Sequence, residues 1–559
     1  MRYTALAIAV GIALATISDI VCAQSQPPGG GQLLQQLTLP PPPAPADKPA
    51  LSIEEPGSAR ATSTTPIPVK RIHITGNTLI PEARLHELVA SAEGKTLTLG
   101  ELQEVAAHIT YLYRKRGYPL ARAYVPAQSV QDGEITFSVI EARYGKVTLK
   151  NQSTTSDRPL RATLAPLESG SPVNDWTLDR SLLLLSDVPG VIVNSTVRPG
   201  EQTGTSDLQV DATSGPRYSG IVALDDFGNR YTGRARATVT LNINSLLHQG
   251  DRLDFNALSS GSGMTYGEVG YRYLLNGQGT TVTASASELH YHLKGSLSDL
   301  EAHGTAQVES LNLTHPFIRN TAGNLYGQVQ FDHKVLHDDI DLASIRTDRH
   351  TNGWTAVIAG DRRDDYGISN FNFSAAVGRV TFDDNMARVA DLVEADTQGR
   401  DAHYNLTLAR LQQLDPVDGL YIAFTGQLAS KNLDPADQFY LGGPSNARGY
   451  DVGALTGAQG ELFTLEWRRA LPIPVRGAWL ASLFADRGHI QVYKDTFVPG
   501  PNSASLSDVG TSLHWDGWRE WSVSAQLATH VGPSSPLLHS NVGTRFWLQV
   551  QKGFYSHGG

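Results

Sequence analysis

The stretch that decides the fold is residues 545–554, Arg-Phe-Trp-Leu-Gln-Val-Gln-Lys-Gly-Phe, in which apolar and polar side chains alternate. In a β-strand, successive side chains point to opposite faces. One face then carries Phe546, Leu548, Val550 and Phe554, and the other carries Arg545, Gln549 and Gln551. The same alternation recurs at 463–469 and 521–527, and turns rich in Gly, Asn, Asp and Pro separate such runs from about Arg217 onward. Runs of about ten residues match strands that cross a tilted bilayer, whereas strands of soluble β-sandwiches usually have about five or six residues.

Charged side chains occupy the face opposite the apolar residues in these runs, at Glu466, Arg468 and Arg545. A packed core would not hold so many charges, so this face is expected to line a wet lumen. Residues 214–559 are therefore predicted to form a transmembrane β-barrel. About 340 residues, at roughly 20 for each strand with its loop, predict about sixteen antiparallel strands, an even number as in bacterial barrels.

The composition and the N-terminus agree with an exported barrel protein. The chain has 53 Gly, 20 Tyr and 8 Trp, and it has no run of about eighteen apolar residues that could form a membrane-spanning helix. Its formal net charge of −10 argues against a nucleic-acid partner, because that binding depends on Lys and Arg that neutralise phosphates. An apolar run through Ile17 and the sequence Val21-Cys22-Ala23 predict a signal peptide over residues 1–23. Lipidation of Cys22 is disfavoured, because Val21 stands where a small residue would be expected.

The region between the signal peptide and the barrel divides into a low-complexity part and two α/β modules. Residues 24–38 contain a short candidate helix at 32–37, and residues 39–66 form a Pro-rich linker. Residues 67–143 show the order β-α-α-β-β, with Thr98 and Glu101 forming a predicted capping box before the second helix. Residues 144–213 repeat that order less clearly. The predicted fold class is therefore two tandem α+β modules followed by an all-β barrel.

At this point the chain resembles the two-partner secretion transporters, outer-membrane proteins that secrete haemolysins and adhesins. Within the first module, the stretches Ile-His-Ile-Thr-Gly-Asn at 72–77, Tyr-Arg-Lys-Arg-Gly-Tyr at 113–118 and Asp-Gly-Glu at 132–134 resemble parts of a POTRA domain. The stretch Leu-Asp-Asp-Phe-Gly at 224–228 resembles the first barrel hairpin of the family. The resemblance covers nearly the whole mature chain. It implies two POTRA domains in the periplasm, joined to a sixteen-stranded barrel in the bacterial outer membrane.

Two barrel motifs carry the resemblance most specifically. Residues 442–450, Gly-Gly-Pro-Ser-Asn-Ala-Arg-Gly-Tyr, resemble the sixth loop, which in the family folds into the lumen around an Arg-Gly-Tyr tip. Residues 484–488, Phe-Ala-Asp-Arg-Gly, resemble the inward strand motif whose Asp receives that Arg. The resemblance implies a lock in the lumen formed by Arg448, Gly449, Tyr450, Phe484, Asp486 and Gly488, within a loop frame of Gly442 and Gly443. This chain departs from the family at Ala447, where Val is more frequent, and after Phe554, which five further residues follow.

The resemblance also implies partners and a plug. The short helix with Leu33, Leu34 and Leu37 would plug the barrel before the linker crosses to the periplasm. The POTRA pair would recognise one large secreted exoprotein, of adhesin or cytolysin type, in extended form, and the barrel would pass it outward. The barrel itself would contact outer-membrane lipid and would depend on the barrel-assembly machinery for its insertion. The sequence suggests no nucleotide site and no cofactor, so the expected driving force for export is folding of the cargo outside the cell.

Other interpretations stay open on the sequence alone. A barrel-assembly insertase would usually carry more POTRA modules, and a passive porin would need neither the modules nor the loop motif. The Gly-rich loop lacks the Gly-Lys-Ser/Thr ending of a phosphate cradle, and the hydrolase motif Gly-x-Ser-x-Gly is absent, so an enzyme is not predicted. His290 and His292 share one strand face at a metal-compatible spacing, but no nearby residue completes a site in sequence. Exposed or lumen-facing histidines are therefore the preferred interpretation.

Overall fold

A computed structural model of the chain describes residues 27–37, 50–53, 65–496, 499–533, 535–538 and 543–556. The predicted signal peptide and most of the Pro-rich linker lie outside these residues. Two short elements come first, helix α1 (Gly30–Gln35) and strand β1 (Ala50–Ile53). Among the residues that the structure describes, no helix is long and apolar enough to cross a membrane.

The first α/β module has the predicted order and buries one core between its helices and its sheet. Its elements are β2 (Ile67–Pro68), β3 (Arg71–Thr75), α2 (Glu82–Val89), β4 (Thr96–Leu97), α3 (Leu99–Lys115), β5 (Arg122–Tyr124) and β6 (Glu134–Ile140). Strand β6 lies in the middle of a three-stranded sheet, parallel to β3 and antiparallel to β5. Leu85, Ile109 and Phe137 are fully buried where the two helices pack on this sheet.

Two local interactions hold this module together. The side chain of Thr98 accepts a hydrogen bond from the N–H of Glu101, whose carboxylate accepts one from the N–H of Thr98, so the predicted capping box forms. Farther along the chain, Oε1 of Glu141 accepts hydrogen bonds from the N–H of Thr78 at 2.8 Å and from the hydroxyl of Tyr113 at 2.6 Å. Glu141 therefore joins the turn that follows β3 to helix α3.

The second α/β module repeats the order, and its sheet gains a strand from the linker. Its elements are β7 (Arg143–Gln152), α4 (Asp157–Leu164), α5 (Asp175–Ser186), β8 (Val191–Pro199) and β9 (Thr205–Ser214). Strand β7 begins at Arg143. Strand β1 pairs in parallel with β8, which gives the sheet order β1-β8-β9-β7. The sequence predicts only an unpaired linker at this point. This pairing covers an edge of β8 that would otherwise be open.

Sixteen of the remaining described strands form a closed antiparallel barrel, in agreement with the predicted number. The first eleven are β10 (Tyr218–Asp225), β11 (Arg236–Asn244), β12 (Arg252–Ser259), β13 (Met264–Leu274), β14 (Thr281–His292), β15 (Ala302–Arg319), β16 (Gly323–Ile340), β17 (Ile345–Asp364), β18 (Gly367–Phe382), β19 (Gly399–Gln413) and β20 (Asp418–Ala429). A small hairpin inside the barrel, β21 (Phe439–Leu441) and β22 (Leu455–Gly457), comes next. The last five barrel strands are β23 (Gln459–Leu471), β24 (Ala478–Gln491), β25 (Ser503–Asp516), β26 (Trp521–His530) and β27 (Arg545–Tyr555).

Pairing between β10 and β27 closes the barrel. Helix α6 (Asn385–Glu394) lies in the connection between β18 and β19, and short 3₁₀ turns occur at Ala90–Ala92, Gly295–Leu300, Asp341–Ala343 and Trp518–Glu520. The barrel strands have from 8 to 20 residues, so several exceed the predicted length of about ten. The longest ones extend beyond the bilayer, where neighbouring strands continue to satisfy one another's backbone groups.

The second module contacts the turn between β15 and β16. The Asp187 carboxylate pairs with Arg319 at 2.8 Å, and Arg180 donates a hydrogen bond to the carbonyl of Pro316 at 2.8 Å. Strands β10 and β27 also start and finish at this end, which is therefore the periplasmic end. The connections at the opposite end are the external loops. In chain order, residues 430–458 between β20 and β23 form external loop 6.

The two faces of the wall differ as the alternation predicts. Phe463 and Leu465 of β23 are exposed on the outer face, at 47% and 41%. Glu466, the next residue along the strand, lies on the opposite face, is only 6% exposed and points inward. On β27, Phe546 and Leu548 are exposed outside, and Trp547 is buried inside. The outer surface is thus apolar where lipid would contact it, and the inner surface carries the charges.

Candidate functional site

External loop 6 folds back into the barrel, and two glycines shape its turn. Gly442 and Gly443 have φ angles of +104° and +124°, which side chains with a Cβ rarely adopt. A Cβ at Gly442 would also lie 2.1 Å from the carbonyl oxygen of Asp451. Ala447, where the family more often has Val, has a φ of +43°, a region that β-branched residues resist. The loop frame therefore depends on small residues.

Arg448 at the loop tip is buried and paired with two carboxylates of the barrel wall. Its Nε lies 2.8 Å from Oδ2 of Asp486 and its Nη2 lies 3.1 Å from Oδ1, which makes the contact bidentate. Its Nη1 lies 2.9 Å from Oε2 of Glu466 on β23. The guanidinium also stacks on the ring of Phe484, 3.3 Å from the centroid. The structure thus brings Arg448, Asp486 and Phe484 together, and charge-assisted bonds of this kind are the strong ones.

The rest of the tip is packed just as closely. A Cβ at Gly449 would lie 2.6 Å from Cβ of Asp508, so only glycine fits between the loop and β25. The hydroxyl of Tyr450 donates a hydrogen bond to the carbonyl of Ser507 at 3.0 Å. A Cβ at Gly488 would lie 2.4 Å from a methyl group of Leu441, so Gly488 makes room for hairpin β21–β22. All of the lock residues that the sequence singles out lie within this one packed region.

Several residues of the site are not identified by the sequence motifs. The indole N–H of Trp547 donates a hydrogen bond to the carbonyl of Arg448 at 2.8 Å. The next acidic residue of the loop, Asp451, lies 2.6 Å from Nη2 of Arg234 and 2.8 Å from Nη2 of Arg545. Period-two alternation already places Glu466 and Arg545 on the inward face. Their partners could not be found that way, because they depend on the register of separate strands.

Helix α1 lies inside the barrel against the inner wall of β14, β15 and β16. Leu33 is 2% exposed and packs with Leu289, Ala306 and Leu336, while Leu34 and Leu37 are partly buried in the same cluster. The helix covers Gly30–Gln35 rather than the predicted 32–37, so Leu37 lies beyond its end. A Cβ at Gly31 would lie 2.8 Å from Cβ of Ala436, so the glycines bring the helix against loop 6.

A buried ion network joins α1 to the wall and to loop 6. The N–H of Gly30 donates a hydrogen bond to Oδ1 of Asp338 at 2.8 Å. Nη1 of Arg349 lies 2.7 Å from Oδ2 of the same carboxylate, and its Nε donates to Asp434 of loop 6. Farther along loop 6, Asp437 pairs with Lys334 at 2.6 Å. Arg349 is 4% exposed, so both of its bonds act in a region with little screening.

His290 and His292 lie on the outer face of β14, where His292 stacks on His303 of β15 with ring centroids 6.3 Å apart. Among the described residues, no group of three or more His, Cys, Asp or Glu side chains is arranged to hold a metal ion.

Comparison with known proteins identifies the family. The family model described as haemolysin secretion/activation protein ShlB/FhaC/HecB matches residues 204–505, more than half of the chain, and the model described as POTRA domain, ShlB-type, matches residues 67–142. The heme/hemopexin transporter protein HuxB of Haemophilus influenzae strain 86-028NP is 27% identical over 570 residues, which cover 99% of each chain. The outer membrane transporter CdiB of Dickeya dadantii is 22% identical over 457 residues, which cover 76% of each chain.

A solved structure shares the fold. The structure of CdiB from Escherichia coli aligns with a TM-score of 0.69 at 19% identity and covers 89% of this chain and 93% of that one. The closed barrel with α/β modules at its periplasmic end, together with these matches, identifies an outer-membrane protein transporter. The chain belongs to the haemolysin secretion/activation family. It is an outer-membrane transporter of two-partner secretion, which exports an exoprotein from the periplasm to the cell surface.

Proposed function

We propose a division of labour within this transporter. Residues 67–143 and 144–213 act as two POTRA domains that receive the cargo, and residues 214–559 form the barrel through which the cargo leaves. Loop 6 and helix α1 keep the barrel closed at rest. The observation that supports this arrangement best is the bidentate contact of Arg448 with Asp486, because it fixes the loop tip in the path of the cargo.

The lock acts by burying a charge that only this geometry satisfies. Removing one partner of a buried ion pair costs about 3–5 kcal/mol, because the other charge stays behind without compensation. Asp486 also accepts a hydrogen bond from Thr464 at 2.8 Å, and Glu466 pairs with Arg468 at 3.0 Å, so both carboxylates are oriented before the loop arrives. Because the carboxylates of Asp486 and Glu466 are already oriented, they favour one position of the Arg448 side chain over others.

The plug acts together with loop 6. Helix α1 fills the lumen beside the loop, and Gln35 donates a hydrogen bond to the carbonyl of Ala436. At the other side, Nδ2 of Asn229 donates to Oε1 of Gln36 at 2.8 Å. A chain of cargo can pass only after α1 and loop 6 both leave these positions, because together they occupy the inner wall.

The cargo is recognised at the first module as an extended chain. Strand β5 is an edge of its sheet, and in the described residues no strand pairs with its outer side. Tyr124 on β5 and Tyr111 on the neighbouring helix α3 are exposed by 37% and 68%. The hydroxyl of Thr110 accepts a hydrogen bond from the N–H of Ala123, which holds the helix and the strand side by side. An extended segment would add to this edge with apolar side chains against the tyrosines.

The second module supports that mode of binding. Its own edge strand β8 already carries an extended segment, β1, whose Leu51 packs on the core of the module. A sheet edge in this protein therefore accepts a short parallel strand. We assign a large exoprotein as cargo, and the full-length match to a heme/hemopexin transporter favours a cargo that acts on haem or haemopexin over an adhesin or a cytolysin.

The outer surface of the barrel supports two further partners. Large apolar side chains such as Trp354, Ile358 and Val377 are each more than half exposed on the outer wall and would contact outer-membrane lipid. Insertion of such a wall requires the barrel-assembly machinery, because the apolar face would aggregate in the periplasm.

Deletion of residues 67–143 tests the recognition role. The expected result is loss of export of the exoprotein encoded beside the transporter, with the barrel still folded in the outer membrane. Heat modifiability of the barrel on gels provides the folding control. Export that persists without this module would show that recognition lies elsewhere. Co-expression with exoproteins of the haem, adhesin and cytolysin classes tests the cargo assignment.

A further inference from the structure

Asp508 lies on the inward face of β25, beneath the tip of loop 6, and it is only 1% exposed. Neither of its carboxylate oxygens has a hydrogen bond of good geometry among the described residues, and the polar groups beside them include the N–H of Gly449 and the carboxyl group of Asp486. Asp486 differs in this respect, because both of its oxygens accept charge-assisted bonds. An ionised carboxylate without partners is strongly unfavourable in a buried position.

The groups that face Asp508 add to this cost. Its direct cross-strand partners are Asp486 on β24 and His530 on β26, and Arg448 approaches from the loop. Nδ1 of His530 also has no hydrogen-bond partner among the described residues. Within the described cluster, Arg448 and Arg468 balance the charges of Asp486 and Glu466. An ionised Asp508 would be the surplus charge next to another carboxylate.

The loop tip rests directly on this residue. A Cβ at Gly449 would lie 2.6 Å from Cβ of Asp508 and 3.1 Å from the backbone nitrogen of His530. With the tip in place, the contact excludes solvent from Asp508. With the tip withdrawn, the same carboxyl group would face the wet lumen.

We propose that Asp508 is a positioning residue. In its neutral carboxylic-acid form it holds the tip of loop 6 in the lumen, and loss of its proton releases the tip. A protonated Asp508 avoids two adjacent buried negative charges while the tip is seated. Once the tip leaves, water solvates the carboxylate and the charged form becomes stable. Low pH therefore stabilises the position of the tip in the lumen, and this stabilisation decreases as the pH rises. The inference rests on the proposed lock, but it does not depend on which cargo is exported.

The test measures how often the tip leaves its seat. Val452 lies beside the tip and is 8% exposed, so maleimide reacts with Val452→Cys only when the tip withdraws. Cys22 is the one cysteine of the sequence, and Cys22→Ser removes it. The purified full chain is labelled in detergent across about three pH units around neutrality, and each rate is normalised to that of the denatured protein. For a single proton, the labelling rate rises by at most about tenfold per pH unit.

We expect the labelling rate of the parent to rise with pH and that of Asp508→Asn to stay low at every pH, since the amide mimics the neutral acid. Asp516→Asn is the matched control, because Asp516 is exposed on the same strand and should leave the rise unchanged. His530→Gln should also keep the rise. The proposal is overturned if Asp508→Asn retains the pH response, or if it is labelled fast at every pH.

The proposed lock has a separate readout. Arg448→Ala should be labelled fast at every pH. If Arg448→Ala is as slow as the parent, the lock itself is wrong, whatever Asp508 does. Heat modifiability of each variant shows that its barrel is folded, so a flat response of Asp508→Asn reports the missing proton and not a misfolded wall.

Discussion

The Nε of Arg448 lies 2.8 Å from Oδ2 of Asp486, so residues 38 positions apart in sequence close a contact between a loop and the wall that surrounds it. Strand β24 supplies the carboxylate from the wall, and loop 6 supplies the guanidinium from the lumen. Neither group is near bulk water, because Arg448 is 8% and Asp486 2% exposed. The contact therefore stabilises one position of the loop and opposes every other position.

Replacing Arg448 should open this lock. Arg448→Ala leaves Asp486 and Glu466 without their shared cation, and we expect the seated loop to lose about 3–5 kcal/mol. Arg448→Lys should have an intermediate effect, because Lys cannot make the bidentate contact. Conductance of the purified protein in planar bilayers checks the opening, and export of the cargo checks its consequence. Arg346→Ala is the control, since Arg346 pairs with Asp339 on the exposed surface. Normal conductance and normal export in Arg448→Ala would refute the lock.

Arg349 should hold the plug and the loop together. Arg349→Met leaves the carboxylates of Asp338 and Asp434 buried without a cation, which should release both the N-terminus of α1 and the base of loop 6. We expect a larger mean conductance than in the parent. In a chain that lacks residues 24–38, the same substitution should have a smaller effect, because only the contact of Arg349 with Asp434 of loop 6 remains to be lost. If Arg349→Met raised the mean conductance by the same amount in the full chain and in the chain without residues 24–38, Arg349 would not act through the plug.

Glu141 should make the first module sensitive to acid. Burial raises the pKa of its carboxyl group, but hydrogen bonds from Thr78 and Tyr113 outweigh that effect, and the pKa is lowered overall. A lowered pKa in the folded state contributes stability above the unfolded pKa, and this contribution is lost as the pH falls through the folded pKa. Glu141→Gln should remove this dependence and cost about 1.5–3 kcal/mol at neutral pH.

Hydrogen exchange of residues 67–142 in the full-length protein, followed from neutral to acid pH, measures this effect. The matched control is Glu134→Gln, because the side chain of Glu134 is 60% exposed and pairs with His73 at the surface. Equal protection of the Glu141→Gln variant and the parent at neutral pH would contradict the assigned role.

The outer face should tolerate charge near its edge but not in its middle. Leu465 lies halfway along β23 and is exposed on the outer wall, so Leu465→Arg should cost about 2–4 kcal/mol in a bilayer. Glu461 lies on the same face near the external end, and Glu461→Arg should cost about 0–1 kcal/mol. Urea unfolding in lipid vesicles compares the two variants. Equal costs would mean that β23 lies at a different depth.

The sequence predicts the barrel well because a single periodicity carries the information. Alternation places Glu466 inside and Phe463 outside without knowledge of any neighbouring strand, and both assignments are confirmed. Length is harder, since β17 has 20 residues and its excess lies beyond the bilayer, where alternation no longer has to separate lipid from lumen. The order of elements in the first module is predicted equally well, because its capping box and strand order are local signals in the sequence.

The contacts of the site need information that alternation does not contain. The second carboxylate on Arg448 comes from Glu466, whose Cα pairs with that of Phe484 on the next strand, and this register is not encoded locally. The surroundings of Asp508 cannot be predicted for the same reason, since its neighbours Asp486, Arg448 and His530 come from three separate segments. Strand β1 was missed because a four-residue strand in a Pro-rich linker gives almost no pattern of its own.

The pairing of β1 with β8 sets the direction in which the plug can leave. Residues 38–49 are the whole tether between the end of the described plug segment and the anchored strand, and they span at most about 40 Å when fully extended. Because the anchor lies in the periplasmic module, movement of α1 toward the periplasm brings it nearer to β1, whereas movement toward the cell surface takes it farther from β1. As long as β1 stays paired with β8, α1 cannot move farther from it than this length of chain allows, which limits how far the helix could follow a departing cargo outward.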